Sequence, residues 1–289
     1  MQTALVTGTS TGIGLAAALR LARAGYRVFA GMRTPSKGDA LRDAAAAEAL
    51  PLEVIAMDVT DADSTATAFD TIRASAGPVD VLVNNAGIGG ATPFELTPLQ
   101  EHRDLFETNY FGLVRCIQAV LPEMRERGAG TIVNLSSVEG RLAIPNQVPY
   151  SASKWAVECL TEALAHEVTR FGVRVVAVEP GVIMTNIFDN SADKTRFDKT
   201  SPYRDIMRRN GKMFAAGFRQ GTPPEAVADT ILEAIRSTTY KLRWPVGGDA
   251  FGMLEGRATM SDETWVGMGE ELSDAEYNEQ FERYFGITL

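Results

Sequence analysis

Short apolar, β-branched runs alternate along this chain with longer alanine- and leucine-rich stretches. The runs at 4–7, 27–30, 52–57, 79–83, 131–135, 173–178 and 242–246 have the length and residue types of strands. The stretches at 14–24, 64–75, 99–127, 151–171 and 224–237 repeat their apolar positions at helical spacing. The strand runs are almost wholly apolar, which predicts strands covered on both faces. Strand and helix in strict alternation predict a parallel sheet with right-handed crossovers. The fold class is therefore α/β: a doubly wound parallel sheet of about seven strands with helices on both faces. The rhythm stops at about 183–222 and again beyond 247, where aromatic and charged residues mix. These segments are expected to be additions to one domain spanning 1–289, the second an extension at about 248–289.

Composition narrows the function classes. The chain has 289 residues, 45% of them hydrophobic, enough for a full core. With 37 acidic against 28 basic side chains its formal charge is -9, which argues against nucleic acid or anionic lipid as the main partner. Two cysteines exclude a disulfide framework and favour a reducing compartment, and two histidines, His102 and His166, make a histidine-rich metal site a poor reading. Cys159 reads as core packing. No stretch is long and apolar enough to span a bilayer, and the first residues read as a strand rather than an export signal. The expected location is the cytoplasm.

Directly after the first strand run come Gly8, Ser10, Thr11, Gly12, Ile13 and Gly14, leading into the first helical stretch. A glycine-rich turn between strand and helix lets the backbone approach a pyrophosphate, and the helix N-terminus favours the anion. The spacing is G-x-x-x-G-x-G rather than G-x-G-x-x-G, so the strand-turn-helix context carries the reading of a dinucleotide site. The second strand run is followed by Gly31-Met32-Arg33, with no acid before Asp39. An acid there would bind the ribose hydroxyls of NAD, whereas an arginine accommodates the extra phosphate of NADP. NADP(H) is expected, with NAD(H) as the alternative if Arg33 is merely a solvated strand-end side chain.

Tyr150 and Lys154 lie four residues apart on a helical stretch and so share one face. Alone that spacing is common. However, Ser136-Ser137 and Asn85-Ala86-Gly87 follow two other strand runs, on the carboxyl edge where open α/β sheets bind ligands. In this order the motifs resemble the classical short-chain dehydrogenase/reductase family over roughly residues 3–247, more loosely its members acting on steroids, retinoids and similar lipophilic alcohols. The resemblance implies Tyr150 as general acid/base, Lys154 as its partner, Ser137 as the substrate-orienting hydroxyl and Asn109 as the helix residue holding a relay water. It also implies that Asp58 and Val59 contact the adenine, that Asn85, Ala86 and Gly87 run along the cofactor, and that Pro180, Gly181, Val182 and Thr185 close over the nicotinamide. A dimer or tetramer built on the helices at 99–127 and 151–171 is implied as well. Ser136 is the local rival of Ser137.

The chemistry asks for the same residue types. Carbonyl reduction needs a hydride and a proton for the developing alkoxide, and alcohol oxidation needs the reverse. Lowering a tyrosine pKa by about three units takes roughly 4 kcal/mol, which one ammonium about 4 Å away supplies at an effective dielectric of about 20. Lys154 is therefore expected to bring Tyr150 down. A dinucleotide-binding sensor or scaffold protein without turnover is the alternative from another class.

The segment at 183–222 is expected to be a substrate lid. Met184, Ile187, Phe188, Phe197, Tyr203, Ile206, Met207, Met213, Phe214 and Phe218 suit a bulky apolar carbonyl or alcohol, although packing on the sheet explains many of them. Val138, Glu139, Leu142 and Ile144 are placed to form the other wall, and Glu139 there selects a substrate hydroxyl or amine, or points to solvent. Residues 191–220 carry eight bases (Lys194, Arg196, Lys199, Arg204, Arg208, Arg209, Lys212 and Arg219) against three acids, and 249–289 carry ten acids against two bases. The acidic tail either docks beside the basic lid or both are solvated faces. A third reading has the basic lid attracting an anionic substrate.

Overall fold

The computed structural model describes residues 1–185 and 200–289. Its sheet consists of β1 (Thr3–Thr7), β2 (Arg27–Met32), β3 (Leu52–Ala56), β4 (Val81–Asn84), β5 (Gly130–Leu135), β6 (Val173–Pro180) and β7 (Arg243–Val246). All pairings are parallel, in the order β3-β2-β1-β4-β5-β6-β7, so the strand order reverses between β1 and β4. Open α/β sheets bind their ligands at such a reversal, outside the carboxyl ends of the strands.

Alternate residues of each strand enter different cores. Ala4, Val6, Val28 and Ala30 pack with α1 (Gly12–Arg23) and α8 (Pro224–Arg236). Leu5, Phe29, Leu82 and Ile132 pack on the other face with Phe69 and Ile72 of α3 (Ala62–Ala76), Ile117 of α5 (Gly112–Arg127) and Val157 of α6 (Val148–Val168). Two covered faces explain why the strands lack polar alternation. The outer strand β3 departs from this, with Glu53 and Ala56 exposed. The sequence reading did not mark α2 (Asp39–Ala47), which follows β2.

Two expected elements differ in the structure. The single helix expected at 99–127 is α4 (Leu99–Phe106), a π turn (Glu107–Phe111) and α5. The turn surrounds Asn109, whose amide donates to Ile88 O (3.0 Å) and Ser153 Oγ (3.0 Å) and whose Oδ1 accepts from Ile88 N (2.9 Å). π turns recur inside helices at functional sites.

The irregular stretch after 183 contains α7 (Arg204–Gln220). Its apolar residues Ile206, Met207, Met213, Phe214 and Phe218 fall at helical spacing, a periodicity the expected irregular stretch did not include, and burial of Met207, Met213 and Ala216 seats that face. Met213 and Ala216 join a third core with Val138, Leu142 and Ile144 and with residues of α9 (Ala250–Thr259) and α11 (Asp274–Phe285). Between these two lies α10 (Asp262–Gly267). Asp274 accepts from Arg208 (2.6 Å) and Lys212 (2.8 Å), so the acidic tail does lie against the basic helix within one chain. These pairs are half-exposed and worth little each, and the shared apolar core is the larger attachment. The expected lid residues Ile187, Phe188 and Phe197 and the bases Lys194, Arg196 and Lys199 lie outside the described residues.

Candidate active site

The carboxyl ends of β1, β4, β5 and β6 face a cleft of about 460 Å³, within the usual range for small-molecule sites. One end is the glycine turn. Gly8 has φ +72°, and its N–H donates to Gly31 O (2.9 Å). Gly14 lies so close to Gly8 O and the Asn85 amide that a side chain there has no room. Asn85 fixes the turn by donating from Nδ2 to Thr7 O (2.9 Å) and Gly8 O (3.1 Å). Thr11 makes no side-chain cap to α1, and Ser10, Thr11, Gly12, Ile13 and Gly14 all line the cleft. The first N–H groups of a helix have no intrahelical partner, so this terminus suits a diphosphate.

Arg33 stands exposed just past β2, beside the cleft, and Lys37 lines the same rim. Neither side chain has an ion-pair partner among the described residues, so a 2′-phosphate placed there would meet two free cations. Lys37 was not singled out from sequence; its distance from the glycines matches no simple spacing rule. Asp58 Oδ1 accepts from Thr60 N (3.0 Å) and Thr60 Oγ1 (2.7 Å), which shapes the turn after β3 and sets Val59 in the cleft wall. Ala86 and Gly87 follow β4 along the floor. Pro180, Gly181 and Val182 form the far wall, and Thr185 packs beside Gly12 across the cleft. The turn, the open helix terminus and the paired cations fit a dinucleotide carrying an extra phosphate.

At the centre, Tyr150 and Lys154 project from α6. Lys154 Nζ donates to Leu135 O (2.8 Å) and lies 5.7 Å from the centre of the Tyr150 ring. The Ser137 hydroxyl faces the Tyr150 phenol, and its Oγ accepts from Glu139 N (3.1 Å). Ser136 Oγ is buried with no partner, so of the two serines Ser137 faces the tyrosine. Asn109 reaches this centre through Ser153, one residue before Lys154.

The electrostatics correct one expectation. In the protein by itself the Tyr150 phenol is pushed up, not down, first by burial and then by the neighbouring Glu139, with the Ser137 hydrogen bond opposing. Burial also pulls Lys154 down to about 8, against Glu139 and Glu158, which favour its charge. The desolvation of both groups outweighs the attraction assumed from a single ammonium. Burial likewise raises Glu139 to about 8, with the Ser151 hydroxyl, Lys154 and the Gln147 amide opposing.

Two further polar groups at the site escaped the sequence reading. Asp249, in the turn after β7, accepts from Val182 N (2.9 Å). Ser151 donates to Glu139 Oε2 (2.6 Å), turning that carboxyl inward. Neither signal is local: Asp249 meets Val182 only because β6 and β7 pair. Away from the cleft, Cys159 is exposed rather than in the core, and only Cys116 is buried. His102 meets the Phe94 ring edge-on and His166 faces outward. No metal-binding cluster of side chains occurs among the described residues.

Comparison with known proteins places these features in a family. The family model for short chain dehydrogenases matches residues 2–196. Human retinol dehydrogenase 8 is 38% identical over 256 residues, covering 84% of this chain and 80% of the relative. A short-chain dehydrogenase structure from Streptomyces avermitilis superposes with a TM-score of 0.80 at 37% identity, covering 94% of this chain and 99% of the other. A gluconate 5-dehydrogenase from Burkholderia cenocepacia, solved with NADP and tartrate, superposes with a TM-score of 0.72 at 27% identity, covering 86% and 95%. With its seven-stranded parallel sheet and this agreement along most of its length, the chain belongs to the short-chain dehydrogenase/reductase family and is an oxidoreductase.

Proposed function

We propose that this enzyme interconverts a ketone or aldehyde and the corresponding alcohol, using NADP(H), on a bulky apolar substrate. The observation carrying this reading is the meeting of Ser137, Tyr150 and Lys154 in one cleft with the glycine turn and the basic pair Arg33 and Lys37.

Bound NADPH supplies the hydride. Tyr150 gives its hydroxyl proton to the substrate oxygen in reduction and takes it back in oxidation. Burial raises its pKa, so in the protein by itself the hydroxyl carries its proton at neutral pH. Ser137 donates a hydrogen bond to the same oxygen as negative charge grows on it. Lys154 has N–H donors beyond the one spent on Leu135 O, and these face the tyrosine and the cofactor. Both amide hydrogens of Asn109 are engaged within the protein, so its side chain has no donor left for a relay water. Asp58, Val59, Asn85, Ala86 and Gly87 line the adenine-to-nicotinamide track, and Pro180 to Val182 with Thr185 hold the nicotinamide end.

Val138, Ile144, Met213 and Phe214 line the substrate end of the cleft, which favours apolar bulk, and the relative named for retinol fits that choice. Arg208 and Lys212 are spent on Asp274, which weakens the case for an anionic substrate. Of the segment expected as the lid, Ile183, Thr185, Met213 and Phe214 border the cleft. NADP in the Burkholderia structure supports the cofactor assignment. Half-exposed Trp155 on α6 and Leu99 at the start of α4 support a homodimer or homotetramer built on these helices. Two unpaired thiols fit a reducing cytoplasm.

Initial rates with NADPH and NADH against aliphatic, aromatic and steroidal ketones test the reading. NADPH is expected to give the higher kcat/KM, and Arg33→Ala is expected to lower that value by about 10- to 100-fold, the worth of one charge-assisted contact. The same change leaves the NADH value nearly untouched. Preference for NADH in the unaltered enzyme overturns the cofactor assignment, and absence of turnover on every ketone and alcohol overturns the reaction.

A further inference from the structure

Near Tyr150 the cleft wall sets the carboxyl of Glu139 and the amide of Gln147 among apolar Val138 and Ile144. Glu139 is 4% exposed, lies two residues beyond Ser137, and donates its own N–H to the Ser137 hydroxyl. Its Oε2 accepts from Ser151, the residue after Tyr150. Glu139 is thus tied to residues that adjoin the reacting centre twice, by its main-chain N–H to Ser137 and by its carboxyl to Ser151. Among the described residues no donor reaches Oε1 with hydrogen-bond geometry. The Gln147 amide faces the same carboxyl, yet its Nε2 is buried with no partner. Both residues line the cleft. Buried polar groups in native proteins are ordinarily paired, and an incomplete pair in a ligand cleft calls for a group that arrives with the ligand. Truncating a contact of this type leaves a buried polar group unpaired, which is what makes such sites selective.

We infer that Glu139, held by Ser151 and faced by Gln147, is a specificity-determining residue that takes a hydroxyl or amino group carried by the substrate within a few bonds of the reacting carbon. The inference rests on the carbonyl-alcohol reading above and sharpens its substrate class: an apolar chain bearing a second polar group beside the carbonyl. Near neutral pH burial keeps the carboxyl largely protonated, so it can accept from and donate to a hydroxyl. A neutral amine arriving there takes the proton from the carboxyl and leaves an ammonium–carboxylate pair.

Oxidation of 3-decanol, 2,3-decanediol and 2-amino-3-decanol with NADP⁺ tests it, read as the ratio of kcat/KM for each donor-bearing alcohol to that for 3-decanol. At least one ratio is expected to exceed ten in the unaltered enzyme and to fall at least tenfold in Glu139→Leu. Glu139→Gln, which keeps the shape and the Ser151 contact should leucine prevent folding, is expected to lower the amino alcohol's ratio tenfold and the diol's less. Ratios near one in the unaltered enzyme, equal losses for all three alcohols, or ratios unchanged in both variants each overturn the inference. If the unaltered enzyme oxidises none of them, the carbonyl-alcohol reading fails separately. Calorimetric titration of the same alcohols then decides the subsite: binding of the donor-bearing ones that weakens in the variants keeps it, and binding indifferent to Glu139 removes it.

Discussion

Tyr150→Phe lowers kcat by about a thousandfold or more while NADPH affinity, followed by fluorescence titration, stays within about threefold. The substitution removes one oxygen. That oxygen is the group the proposed reaction uses to hand its proton to the substrate, facing Ser137 in the cleft. A positioned general acid contributes about 10²- to 10⁴-fold. Binding is nearly spared because the turn, Asn85 and the Arg33 rim are untouched. Turnover retained above a few per cent refutes the assignment of Tyr150 and directs attention to Lys154 or Glu139 as the proton source.

Gly14→Ala produces the opposite pattern: NADPH affinity falls at least 100-fold, about 2.7 kcal/mol, before any chemistry is affected. A methyl group at residue 14 runs into the carbonyl of Gly8 and the amide of Asn85. Neither is the free end of a flexible chain. Gly8 is held by Gly31, and Asn85 by Thr7 and Gly8, so relief requires moving α1 away from β1 and opening the anion cradle. The measurement is the same fluorescence titration, with thermal melting to separate lost binding from lost fold. Unchanged affinity would show that the turn does not hold the cofactor.

Much of this arrangement is legible along the chain because it rests on local repetition. Strands buried on both faces need uninterrupted apolar runs, and all seven runs are strands. The turn residues, Ser137, Tyr150 and Lys154 stand at strand ends or helix starts, so strand order alone carries them to one edge. What the chain hides depends on partners distant in sequence. Nothing near Asn109 announces that Ile88 and Ser153 draw a π turn out of a continuous helix. Helix α7 sets its apolar residues at helical spacing among many charges, and what the chain hides is that this face packs on the tail. The position of Glu139 was open between inward and outward until Ser151 was seen to hold it. The direction of the Tyr150 shift was misjudged because one charge pair was counted without the desolvation of both members.

The hydrogen bond from Val182 to Asp249 ties the wall of the cleft to the segment that follows β7. Asp249 is 5% exposed, and Ala250 and Met253 beside it anchor the third core. Lifting this segment bares the Val182 amide at the same moment that it releases the tail, so the two are one cooperative unit. The amide proton of Val182 is therefore a reporter for the last forty residues: its protection from exchange with solvent deuterium follows the opening free energy of the tail rather than that of the sheet to which β6 belongs.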